Sequence, residues 1–286
     1  MIRDTIIEDS FEIPGRELGS WSQMYIDDLT VGEVHALERS KRHLTQHKEV
    51  KTIHAYHCEE SFNVIKTNAD EIGMVINALK TQLICISDDR NSNTSSYINT
   101  DNKRINSVYE LKVLGFIFEN RPSVGAHVKH CCDKFNRAVW ALNHLKLAKI
   151  NTNVLVDVYK IMLRPLLEYC SPVYHYMLTL QMEETLERQQ KRALRIIFGF
   201  SEKYEDLLEK TGLETLKQRR ISACANFTKK LLDSERFTEL FPRNNTRDRH
   251  DINLRNSNAF IEEFARSNRL YNSPLYSMRR YLNKEF

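Results

Sequence analysis

The apolar residues change period along the chain. The change falls at a polar stretch, 87–107 (SDDRNSNTSSYINTDNKRINS), whose composition predicts a loop. Before it, 21–26 and 29–34 are short apolar segments on either side of Asp27 and Asp28, a pattern that predicts a β-hairpin with two carboxylates at its tip. A His-rich polar segment follows at 39–60, then a helix predicted over 61–73 and a strand-like run at 82–86. After the loop, 111–118 (LKVLGFIF) reads as β structure interrupted at Gly115, where a residue without Cβ suits a bend or a close backbone approach.

From there the period becomes helical. Val128, Cys131, Phe135, Ala138, Leu142 and Leu145 recur at three or four residues and line one helix face. Residues 153–169 continue the pattern, with Pro165 placed to kink or end the helix, because its nitrogen carries no proton and its ring meets the preceding turn. Met182, Leu186, Gln189, Ala193 and Ile197 make a third stripe, closed by Gly199 as a C-cap. A fourth runs from Leu213 through Leu216, Ala223, Phe227 and Leu231. From Pro242 onward the chain is polar, arginine-rich and weakly periodic, which predicts a tail that is irregular or orders only against a partner. The expected architecture is α+β: hairpin, helix and short strands over 1–118, helices over 119–240, and an arginine-rich tail over 241–286.

Composition narrows the functional classes. With 286 residues, 41% of them apolar and 28% charged, the chain can bury the core of one large domain or two smaller ones. A net charge of +4 makes nucleic acid a candidate partner without establishing it. The first twenty residues set Asp4, Glu8, Asp9, Glu12 and Glu17 against Arg3 and Arg16, a balance of −3 that leaves +7 for the remainder. Any basic surface therefore lies downstream. Six cysteines (Cys58, Cys85, Cys131, Cys132, Cys170, Cys224) include no C-x-x-C pair, so they read as buried thiols in a reducing compartment rather than a disulfide framework. The acidic N-terminus holds no signal-peptide run, and no segment approaches the roughly 18 apolar residues of a membrane span. The expectation is an intracellular protein, cytoplasmic or nuclear, with no membrane contact.

Three groups could carry chemistry. Adjacent carboxylates at a hairpin tip suit Mg²⁺, which takes oxygen ligands held at fixed geometry, although Asp-Asp is also ordinary turn composition. Arg188, Arg192 and Arg195, with Lys191 beside them, recur at i, i+4 and i+7 and form a basic helical stripe, which Lys217, Arg219 and Arg220 extend. That stripe either tracks a phosphate backbone or is a solvated face paired with Glu187 and Glu202. His43, His47, His54, His57 and Cys58 offer ligands suited to zinc, but their spacing fits a polar insertion better than a zinc motif. Cys131 and Cys132, beside His130, belong with the core, since Cys131 sits on the apolar stripe.

The motifs in order carry a resemblance. Met24-Tyr25-Ile26-Asp27-Asp28-Leu29 resembles the Tyr-x-Asp-Asp palm hairpin of reverse transcriptases. Glu71-Ile72-Gly73-Met74-Val75-Ile76-Asn77 followed by Lys80-Thr81-Gln82 resembles the next palm motif, and Leu114-Gly115-Phe116 the hairpin that grips the primer end. His127, Arg164-Pro165-Leu166-Leu167-Glu168-Tyr169, the run from Leu186 to Ala193, and Leu216 with Arg219-Arg220 resemble the thumb and following region of LINE-like (non-LTR) retrotransposon enzymes. Arg269, Ser273-Pro274 and Leu282-Asn283 are similar to their closing segment.

The resemblance implies an incomplete polymerase palm followed by a helical thumb-like region. It implies RNA-directed DNA synthesis with two Mg²⁺ ions in the full-length relative, on an RNA template and DNA primer whose hybrid is the partner. Asp27 and Asp28 would be metal-ligating carboxylates, and Lys80 would lie near the nucleotide phosphates. Two features depart from the family. Pro14-Gly15 and Leu18-Gly19 resemble the end of the preceding motif but lack its usual glutamine, and no earlier palm strand with its aspartate, nor a fingers region, precedes Asp27. The Mg²⁺ site is therefore expected to be latent and the chain not to polymerise by itself. The rival readings are a non-catalytic nucleic-acid-binding remnant that uses the basic stripe, and a helical interaction module.

Overall fold

A computed structural model describes residues 20–25, 28–33, 62–71, 73–86, 97–100, 103–243, 259–262, 264–265 and 267–285. The architecture is α+β and mostly helical, with small two-stranded antiparallel sheets. The chain divides into two compact units, Met1–Leu111 and Lys112–Phe286, each taken by itself.

In the first unit, β1 (Ser20–Tyr25) pairs antiparallel with β2 (Asp28–Glu33), in the register Tyr25↔Asp28 and Met24↔Leu29. The connection is thus 26–27, and Asp28 opens the return strand. A helix, α1, spans 62–71. The stretch expected to be loop contains a second hairpin instead, β3 (Tyr97–Thr100) with β4 (Lys103–Asn106). One apolar residue per strand is enough to seat it: Ile98 and Ile105 are directly opposed and are buried with Phe62 against Ile76 and Leu83. The run at 82–86 does not form a strand. It makes a single parallel bridge, Leu83 with Ser107, supported by a hydrogen bond from Val108 N to Leu83 O at 2.8 Å.

The segment around Gly115 is a hairpin, β5 (Glu110–Val113) with β6 (Phe116–Glu119), and the second unit begins within β5. Leu114 (φ 47°) and Gly115 (φ 87°) form its two-residue turn, and positive φ at both central positions lets a tight turn follow the strand twist. Tyr169 holds this turn by donating its hydroxyl proton to Leu114 O, and a Cβ at position 115 would stand 3.2 Å from the Tyr169 ring.

Helices build the main core. α2 (Gly125–Leu147) buries Val128, Cys131, Cys132, Phe135, Val139 and Leu142. α3 (Thr152–Val158) runs through a π turn (Tyr159–Leu163) into α4 (Arg164–Glu168). Pro165 explains the π turn: the widened coil, with Arg164 N bonded to Tyr159 O, makes room for a residue that would otherwise meet the preceding turn. Then come α5 (Ser171–Tyr174), α6 (Leu180–Phe198), α7 (Tyr204–Thr211) and α8 (Leu216–Leu232). Gly199 (φ 96°) ends α6, and a capping box of Thr215 and Gln218 starts α8. The tail is not wholly irregular. α9 (Asn268–Tyr271) and α10 (Pro274–Glu285) follow, and Met278 and Leu282 of α10 form a small core with Phe241 and Phe260.

One polar chain runs through the main core. Tyr159 donates to Gln190 Oε1 (2.5 Å), and Gln190 Nε2 donates to the Tyr204 hydroxyl (2.8 Å) and to Glu214 O (3.0 Å). Tyr204 in turn donates to Glu187, which also accepts from Leu216 N (3.1 Å). Burial holds both tyrosine hydroxyls protonated, well above their ordinary range. The inward residue of α6 is thus Gln190, where the apolar period had placed Gln189; Gln190 is fully buried.

Replacing Gln190 with Leu should strand the Tyr159 hydroxyl, take one of its two bonds from the Tyr204 hydroxyl, and lower unfolding stability by about 3 kcal/mol. Urea denaturation checks this, and Gln190→Leu combined with Tyr159→Phe should lose less than the sum of the two single changes. A second expectation concerns acid. Burial first, then the nearby Arg220, pushes His175 down to about 4, with Glu183 opposing and Lys217 reinforcing the shift. The folded state keeps the ring neutral, while the unfolded chain takes a proton below about 6.5. Stability should therefore be lost as pH falls from about 6.5 through 4, by about 1–2 kcal/mol after solvent screening of this partly exposed ring. Urea midpoints at neutral and acid pH should move less in His175→Gln than in the parent.

Candidate nucleic-acid interface

The two faces of α6 divide the labour. Leu186, Gln190, Ala193, Leu194 and Ile197 turn inward. This leaves Arg188, Arg192 and Arg195 exposed on the other face, with Lys191 half-buried at its edge. α2 is arranged likewise: Phe135, Val139 and Leu142 enter the core, so Asn136, Trp140 and Asn143, each one position further on, stand outside. The two outward faces line a groove of about 610 Å³ with Ile196 and Phe200 at its α6 end.

Specific contacts shape the groove. Arg192 Nη1 donates to Asn136 Oδ1 at 2.8 Å and ties the helices across it. Lys191 lies 4.7 Å from the centre of the Tyr204 ring, and the Arg195 guanidinium 5.8 Å from that of Phe200. Lys146 Nζ donates to Ile197 O (2.7 Å), adding positive charge where the α6 dipole ends negative. Trp140 is 65% exposed and Phe200 83%, and His144 stacks on Trp140 at 3.8 Å.

The acids expected to neutralise the stripe are engaged elsewhere. Glu187 accepts from Tyr204 and Leu216, and Glu202 from Lys210 (2.9 Å). Among the described residues, only Glu184 forms an ion pair with the stripe, bonding Arg188 at 3.1 Å with both side chains well exposed, a weak arrangement in water. The groove keeps a net positive charge, beside aromatic rings.

Other residues singled out in the sequence lie apart from it. Arg219 of α8 makes a two-point contact with Glu168, which includes Nη2 to Oε2 at 3.0 Å, and Lys217 pairs with Glu183 at 2.9 Å. Arg220 does not extend the basic surface. It is 1% exposed, and none of its three guanidinium nitrogens finds an acceptor among the described residues. The period of α8 accounts for this, because Leu216, Arg220, Cys224 and Thr228 are its buried row, rather than Ala223 and Phe227. Cys131 and Cys132 are buried, and desolvation raises both thiols above their ordinary range, Cys131 to about 11.

In the first unit, Asp28 is placed by its backbone at the start of β2, and Lys80 is exposed at the end of a turn whose amides bond Asn77 O. Asp27 and the cluster of His43, His47, His54, His57 and Cys58 lie outside the described residues. Among those described, no three His, Cys, Asp or Glu side chains gather where they could hold a metal ion, and no helix is long and apolar enough to cross a membrane.

Sequence reasoning missed Trp140, Phe200, Asn136 and Asn143. Their signal was positional: a tryptophan one residue off the apolar stripe of α2 has no core to enter. Comparison of the chain with protein-family models, with curated proteins and with solved structures gave no match in any of the three.

Arg220→Met should test the separation of roles. Removing an unpaired buried charge while keeping the volume should leave stability unchanged or raise it by about 1–3 kcal/mol in urea denaturation. Nucleic-acid binding should be unaffected, and a large loss of stability would contradict an unpaired guanidinium.

Proposed function

We propose that the chain is the downstream part of a reverse transcriptase of the LINE-like, non-LTR retrotransposon kind, an RNA-directed DNA polymerase, and that the α2–α6 groove is where its helical unit meets nucleic acid. The observation that carries the second half is the under-compensated groove, with four cations on one helix, exposed aromatic side chains beside them, and Glu187 and Glu202 turned to other partners. Support for the first half is the ordered set of motifs, together with a hairpin in which Tyr25 opposes Asp28 across the tip.

On this reading the β1–β2 hairpin, α1 and the short strands form part of a palm, and the helices from α2 onward form a thumb-like region. Asp27 and Asp28 are the carboxylates that would hold Mg²⁺, which when bound stabilises charge on the transferring phosphate. Lys80 would add a cation beside the nucleotide. In the groove, Arg188, Arg192 and Arg195 neutralise backbone phosphates, and Asn136 holds Arg192 in place. The rival reading, binding without catalysis, is favoured by one observation: all residues of the groove belong to the helical unit and need nothing from the hairpin.

Primer extension on an RNA template with Mg²⁺, run beside filter binding of the RNA/DNA hybrid, separates the two. Incorporation lost in Asp27→Asn and in Asp28→Asn supports the polymerase reading, whereas incorporation indifferent to both removes those aspartates from the site. Binding without incorporation favours the rival. In either case, changing Arg188, Arg192 and Arg195 together to Gln should weaken hybrid binding and flatten its logarithmic salt dependence by about 2–3. Hybrid binding that does not respond to salt would sink both readings.

A further inference from the structure

We propose that the α2–α6 groove takes a single-stranded polynucleotide, with an unpaired base stacked on Trp140 and the adjoining phosphates held by Arg188, Arg192 and Arg195. This rests on the reading that the groove meets nucleic acid, and adds which form it takes.

The argument begins with the two large apolar rings left in water. Scattered surface hydrophobes need no explanation, but Trp140 and Phe200 are the most exposed aromatics of the groove and stand among its cations. A tryptophan flanked by guanidinium groups suits a flat, electron-rich, anion-linked partner, and a nucleobase on its phosphate backbone has both properties. Trp140 is also prepared for this. His144 packs against the indole at a tilt of 40° and bonds Trp140 O through Nδ1 at 2.9 Å, which limits the ring's freedom before any ligand arrives.

Form follows from which faces of a base are free. In a duplex each base is covered above and below by its neighbours, so the rings of Trp140 and Phe200 can meet only a base that has left the stack. Arg188 to Arg195 spans about 10 Å along α6, at about 1.5 Å per residue, long enough to meet more than one phosphate of a strand. Asn136 accepts from Arg192 through Oδ1, which assigns its other amide atom as a donor. Stacking does not depend on the sugar, so RNA and DNA strands should both bind.

The test uses the full chain. Of its two tryptophans, Trp21 is changed to Phe so that emission reports Trp140 alone. Oligo(dT) and oligo(rU) of about ten nucleotides, within the usual site size, are titrated against this protein, with an RNA/DNA hybrid of equal length and poly-glutamate as comparators. The proposal expects single strands to quench Trp140 emission, and expects Trp140→Ala to weaken single-strand binding by about tenfold or more. Trp140→Phe should recover part of the affinity, and hybrid binding should change little in either variant. Trp140 is exposed, so both variants should fold, and circular dichroism checks that they do. If single strands and hybrid bind alike and Trp140→Ala alters neither, the single-strand proposal is overturned while the groove remains a nucleic-acid surface. If a folded protein binds no polynucleotide, the underlying reading fails with it. Poly-glutamate binding as tight as oligo(rU) would overturn the proposal by showing a generic anion surface.

Discussion

The buried amide of Gln190 is the constraint on which the helical unit depends. It has one acceptor and two donor protons to satisfy inside an apolar core, and it finds them on three other parts of the chain: Tyr159 in the π turn, Tyr204 at the start of α7, and Glu214 just before α8. An apolar side chain in its place could slide along or rotate about the helix at little expense. A hydrogen-bonded amide cannot, because each lost bond leaves a buried polar group unpartnered. The rotation of α6 about its own axis is therefore set by chemistry as well as by volume.

That rotation has two consequences for the outer face. It places Arg188, Arg192 and Arg195 in solvent opposite Asn136 and Trp140, and it turns Glu187 toward Tyr204 and Leu216. A carboxylate that the heptad-like spacing puts near the stripe thus serves the core instead. The same logic reaches α8, where Arg219 engages Glu168 while Arg220, next in sequence, is carried under the surface by the buried row from Leu216 to Thr228. Charge on this protein's surface is decided by which acids the core has already taken.

Much of this was legible in the residues, and the failures have physical causes. The first hairpin could be read because two short apolar segments flank a strong turn pair, and the helices after 125 because their apolar periods are long. On α6 the stripe was read correctly at Leu186, Ala193 and Ile197 and one position out at Gln189, since Gln189 and Gln190 are adjacent and identical, and only the tertiary partners of Gln190 distinguish them. Arg220 was misplaced for a related reason: a charged residue on an otherwise buried row contradicts the assumption that charge marks the outside. β3 and β4 were hidden because a hairpin held by Ile98 and Ile105 alone gives almost no period. In the tail, Leu275, Met278 and Leu282 do recur helically, but the residues they pack against, Phe241 and Phe260, lie distant in the chain. The basic stripe was visible from spacing; the loss of Glu187 to the core was not, because its partners arrive from segments 17 and 29 residues further on.

The two units also differ in what they ask of the chain. A site built from the hairpin tip depends on carboxylates held at fixed distance, and of the two only Asp28 is placed by strand pairing. The groove depends on side chains presented by two helices whose inner faces are locked into one core, so its geometry is inherited from packing. The shape and charge of the groove are consequently the features most firmly built into the helical unit, since the same contacts that stabilise it also orient the cations and rings. On the proposed reading, catalysis at Asp27 and Asp28 would require further groups to complete a metal cage, whereas the charge and exposed rings of the groove already share one rigid support.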